Sequence, residues 1–159
     1  MRPSETDVRA SVRMTLERHA ARARTAGIEV KLSAPEQPLR VTTDADVVAQ
    51  IVDRLLANAL DHTPDGGRVD IELTGGGGQA TVRVSDTGAG VPEKDRERVF
   101  QAFERAAQPV RPRETSGIGF GLALGLSLAR ELGGSLRLED GTASTFVLEI
   151  PALTEPPAS

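Results

Sequence analysis

Apolar residues recur along the chain at two different spacings, and the changes of spacing mark out its elements. Val8, Val12, Leu16, Ala20 and Ala23 fall three or four residues apart, which predicts a helix over residues 5–26 with Gly27 as its stop. Ile28, Val30 and Leu32 then alternate with Glu29 and Lys31, as in a half-buried strand. Beyond the SAPEQP loop, Leu39 and Val41 suggest a second short extended piece. Thr43 or Asp44 can cap the next helix. Its broad apolar face is Val47, Val48, Ile51, Leu55, Leu56, Ala59 and Leu60, and it ends before Thr63-Pro64-Asp65-Gly66-Gly67. Val69, Ile71 and Leu73 alternate as a strand and Val82 and Val84 as the next, predicting a hairpin across a loose connection at Gly75 to Gly78.

From Gly88 to about Gly117 the pattern changes. A short helix is predicted around Glu93 to Phe103, followed by QPVRPRETSG, which offers almost no core material. A long stretch of this kind is usually a functional lid or a disordered segment. Leu122, Leu126, Ala129 and Leu132 restore helical spacing over residues 121–132, up to Gly133-Gly134. Leu136 and Leu138, then Phe146, Leu148 and Ile150, read as two closing strands, and PALTEPPAS as a frayed tail. There is no internal repeat. The order predicts an α+β fold: a two-layer α/β sandwich whose mixed, mostly antiparallel sheet carries its helices on one face.

Composition narrows the chemistry. The 159 residues hold no cysteine, tryptophan or tyrosine, so thiolate metal sites, disulfides and cysteine catalysis are excluded and the core must be aliphatic. All four aromatic residues are Phe: Phe100, Phe103, Phe120 and Phe146. A net charge of -4 and the lack of an aromatic stacking stripe argue against nucleic-acid binding. No apolar run approaches the ~20 residues of a membrane span, and MRPSETDVRA has no signal-peptide stretch, so a soluble cytoplasmic domain without membrane contact is expected.

Three places carry candidate chemistry. Asp86-Thr87-Gly88-Ala89-Gly90-Val91 follows a predicted strand. A carboxylate there can accept a hydrogen bond from an exocyclic amine such as adenine's, while the glycines let a planar ligand approach the backbone. Ser116-Gly117-Ile118-Gly119-Phe120-Gly121-Leu122 opens a helix, where backbone N–H groups suit phosphate. It matches neither the dinucleotide fingerprint nor the P-loop pattern. Asn58 lies in mid-helix, and Arg54, Asn58 and Asp61 form one stripe at i, i+4 and i+7. An amide oxygen is an acceptable Mg²⁺ ligand, with phosphate oxygens and waters as the others.

Taken in order, these segments resemble the N, G1, F and G2 boxes of the histidine-kinase ATP-binding domain, in the GHKL (Bergerat-fold) superfamily. They read LLANALDHTP, DTGAGV, VFQAFER and GIGFGLAL, and GTASTFVLEIP resembles the final box. The resemblance covers roughly residues 7–151 of a single domain spanning 1–159, with tails at 1–6 and 152–159 and a mobile ATP lid at 91–117. It implies ATP held between the N-box helix and the lid. Asn58 would bind Mg²⁺ and Asp86 the adenine amino group, with Gly88, Gly90 and Val91 shaping the pocket. Gly117, Gly119, Gly121 and Leu122 would serve the lid hinge and phosphates. Thr145 would sit near adenine, His62 would line the pocket, and Arg105 would contact phosphate; Arg111 and Arg113 are weaker lid candidates.

Two positions depart from the pattern. Many members carry Asn where this chain has Arg54 and Lys where it has Asp61. A carboxylate facing a triphosphate is repulsive, and Arg54 is expected to compensate from one turn earlier. Hydrolysing branches of the superfamily place a general-base Glu at position 54. Arg54 stays protonated and cannot activate water, which favours phosphoryl transfer to a histidine.

An acceptor histidine is missing. His19 lies in ERHAARAR, unlike an acceptor motif, so the chain is expected to bind ATP without efficient self-phosphorylation. Its partners would be a dimerisation and histidine-phosphotransfer domain, in the same polypeptide or separate, and a response regulator. The expectation is the cytosolic part of a membrane-bound sensor kinase. A complete short protein acting in trans, and a stand-alone anti-sigma-type serine kinase, are the alternatives.

Overall fold

Alternation along the strands separates a buried face from a wet one, and that separation builds the sheet. The computed structural model describes residues 2–86, 119–139 and 145–153. Among them, β1 (Ser4–Asp7), α1 (Val8–Ala26), β2 (Glu29–Ser33), β3 (Arg40–Thr43) and α2 (Ala45–His62) precede β4 (Arg68–Gly76) and β5 (Gln79–Asp86). After these come α3 (Gly119–Glu131), β6 (Ser135–Leu138) and β7 (Thr145–Ile150). The main sheet runs β2-β4-β5-β7-β6; β2 pairs parallel to β4 and every other pairing is antiparallel. A separate two-stranded sheet joins β1 to β3.

Register puts one parity of each strand on the helix side. Ile71 faces Val84, Val84 faces Phe146, and Phe146 faces Leu138, all of them buried. α1 packs on α2 and β2, α2 on β5, and α3 on α2 and β6. The helices therefore form one layer with α2 in the middle, the sandwich that the sequence pattern predicts. The opposite face carries Arg83, Arg137 and Glu149, linked by the Arg83–Glu139 and Arg137–Glu149 ion pairs. Val147 belongs to that face and is still buried, lying in register between Arg83 and Arg137. The aliphatic stems of the two arginines can shield it while their heads stay wet.

Two local expectations change and a third is resolved. The first helix begins at Val8, not residue 5, because Asp7 caps it through the Arg9 N–H and residues 4–7 are drawn into pairing with β3. The expected loose connection is a tight turn. Gly75 and Gly76 belong to β4, and only Gly77 and Gly78 turn the chain, at φ of 64° and 83°. Two consecutive positive φ values match the two-residue hairpin turn whose twist suits the strands. Of the two candidate caps for α2 it is Asp44 that caps, accepting from the Asp46 and Val47 N–H groups. Thr43 closes β3. No helix among the described residues is long and apolar enough to cross a membrane.

Candidate nucleotide site

α2 is a strong helix for reasons visible in its sequence: a capped start and eight buried apolar side chains along one broad face. Asn58 stands on the edge of that face, half-buried, with no hydrogen-bond partner among the described residues. Five residues separate it from Asp53, a rotation of about 140° around the helix. Asp53 faces α1, where its Oδ1 meets His19 Nε2 at 2.7 Å. Asn58 therefore lies on the opposite flank of α2, toward α3.

Chain direction brings the other predicted residues to the same end. α2 reaches β4 through only the short turn at residues 63–67, so its C-terminal end lies near the start of β4. There Val69 pairs with Asp86, the last residue of β5. Asp86 has the parity of Val82 and Val84, so it projects toward the helix layer and is half-buried. α3 reaches β6 through residues 132–134, which runs its N-terminus to this same end. Gly119 and Gly121 occupy its first turn, where backbone N–H groups lack intrahelical partners and the dipole favours anions. Leu122 is buried behind them. Asn58, Asp86 and the glycine start of α3 thus converge, although Asn58 and Gly119 are far apart in sequence.

The remaining candidates separate. Thr145 begins β7 at this end, opposite Ser85, and is buried; its parity is that of Val147, one step off Asp86. His62 is exposed in the last turn of α2. Gly88, Gly90, Val91, Arg105, Arg111, Arg113, Gly117, Phe100 and Phe103, with the expected 93–103 helix and 91–117 lid, lie outside the described residues. Phe146 is buried in the central core.

The charges of α2 are arranged in a way that sequence alone does not show. Arg22 of α1 forms an ion pair with Asp61, so that carboxylate is not left bare. Arg54 is exposed and has no ion-pair partner among the described residues. Arg22 and the His19–Asp53 pair carry no local signal, because their partners are 39 and 34 residues away. A groove of about 320 Å³ also exists, between α1 and β2, lined by Leu16, Ala20, Ala23 and Ile28. It sits on the α1 flank of α2, away from Asn58, and its lining is not that of a nucleotide site.

The fold is a two-layer α/β sandwich in which α2 and α3 frame one end of the sheet. Residues 43–154 match the family described as histidine kinase-, DNA gyrase B- and HSP90-like ATPase, and the chain belongs to it. It is 36% identical over 154 residues to the sensor-like histidine kinase SenX3 of Mycobacterium tuberculosis, covering 96% of this chain and 37% of SenX3. The chain thus spans well under half the length of the curated relatives it matches. The catalytic domain of the histidine kinase ThkA superposes with a TM-score of 0.78 at 23% identity, covering 98% of this chain and all of that one. The mycobacterial sensor histidine kinase MprB superposes at 0.67 with 27% identity, covering 94% and 97%.

Proposed function

We propose that this chain is the ATP-binding catalytic part of a two-component sensor histidine kinase, passing the γ-phosphoryl of ATP to a histidine outside it. The observation that carries the reading is the convergence of Asn58, Asp86 and the glycine start of α3 at one end of the sheet. A half-buried amide without a partner among the described residues leaves its oxygen available as a Mg²⁺ ligand. Among the described residues no three His, Asp or Glu side chains gather as a metal site. A cation held by Asn58 would therefore take its other ligands from phosphate oxygens and water, as Mg²⁺ usually does. Bound there, it would neutralise phosphate charge. Asp86 would accept from the adenine amine, and the α3 N–H groups would meet the phosphates. Arg54 offers positive charge and no base, which suits positioning for transfer better than hydrolysis.

His19 is a poor acceptor within the chain. Its Nε2 is engaged by Asp53 and its side chain is only 17% exposed. The proposed acceptor is a histidine of a dimerisation and phosphotransfer domain, in the same polypeptide or in a separate protein. ThkA has been seen in complex with the response regulator TrrA, and a response regulator is the proposed downstream partner here. The test is a titration of the chain with ATP and Mg²⁺ by calorimetry. Wild type should bind, and Asn58→Ala should lose at least tenfold in affinity for Mg-ATP. Equal Mg-ATP binding by both would remove Asn58 from the site.

A further inference from the structure

We infer that Arg22, on α1, is a positioning residue for nucleotide phosphates that acts through Asp61. The inference rests on the nucleotide-site reading above and extends it to an element outside the family match, since α1 ends before residue 43. Asp61 lies three residues on from Asn58, about 60° around α2 and toward α1, and neighbours at that spacing are about 5–6 Å apart. A bare carboxylate there would repel a bound triphosphate. Arg22 reaches across from α1 and pairs with Asp61 through one guanidinium nitrogen. The single negative charge becomes a neutral pair, and the guanidinium keeps other N–H donors to offer.

Asp53, the other acid on this half of α2, is likewise engaged by α1 through His19. Both carboxylates are thus held from the α1 side, and among the described residues Arg54 is the charge without an ion-pair partner on the stripe that carries Asn58. The pair is too exposed to matter much for stability: Arg22 and Asp61 side chains are 48% and 61% accessible. An Arg22 variant should therefore fold, and its effect should appear in binding.

The experiment is calorimetric titration of the full chain with adenosine, AMP, ADP and ATP at fixed Mg²⁺, at low and high salt. Arg22→Ala should weaken ATP by about three- to tenfold at low salt, with the loss growing from AMP to ATP, absent for adenosine, and shrinking at high salt. Arg22→Lys should retain most of the affinity. Asp61→Asn placed on Arg22→Ala should restore it, because the charge needing cancellation is gone. Unchanged ATP affinity in Arg22→Ala, or an equal loss for adenosine and ATP, overturns the role of Arg22 while leaving the nucleotide site standing. Failure of the wild-type chain to bind any nucleotide overturns the site itself and this inference with it.

Discussion

Asp44 shows how much one side chain can hold. It caps α2 through the Asp46 and Val47 N–H groups and also accepts from the Arg2 N–H, so it ties the entering strand to the helix that carries Asn58. The Arg2 N–H is the main reason its carboxyl titrates below the usual value of 3.8; the Val47 and Asp46 N–H groups add to this, and burial opposes it. A carboxyl depressed in the folded state stabilises the fold above its unfolded pKa. That contribution is lost as pH falls through the lower, folded value. Wild type should thus lose stability on acidification below about pH 4, and Asp44→Asn should flatten that part of the profile in urea unfolding read at a series of pH values. At neutral pH Asp44→Ala should cost about 1–2 kcal/mol by the same measurement.

The elements are stopped as firmly as they are started. Beyond the end of α3, Gly133 turns the chain at φ 72°, and the Gly134 N–H returns to the Ala129 carbonyl. A Cβ at Gly134 would lie 2.1 Å from the Glu149 carbonyl oxygen, a backbone atom of the neighbouring strand. Nothing flexible can yield there, so Gly134→Ala should destabilise by about 2 kcal/mol or more, measured as a fall in the urea midpoint at unchanged slope. The β4–β5 turn teaches the same lesson about reading glycines. Four in a row look loose, yet two extend a strand and two make the turn. Which two is decided by pairing, since Gly76 finds Gln79 across the ladder.

At the scale of the molecule, the family match and the folding unit differ. Residues 43–154 carry the match, but β1, α1 and β2 precede it. Val8 and Val12 are fully buried, and β2 covers the edge of β4. A fragment beginning at residue 43 would expose the α1 side of α2 and leave β4 as an open edge, an aggregation hazard. It should fail to show the cooperative thermal transition of the full chain, or should precipitate. A fragment that unfolds cooperatively at the same temperature would show that α1 is dispensable.

By itself the sequence determined the periods, the helix stops and the order of the main elements, because these are local: spacing of Val, Leu and Ile, and glycines after a helix. The ordered motifs around Asn58, Asp86 and Gly119 were legible for the same reason. The strand at residues 4–7 was not, since SETD has no apolar alternation and becomes a strand only by pairing with β3. Nor was the fate of Asp61, which sequence spacing set against a phosphate and the fold pairs with Arg22. Tertiary structure decided those points because each depends on a partner more than thirty residues away. No local pattern specifies which distant charge or strand edge will arrive.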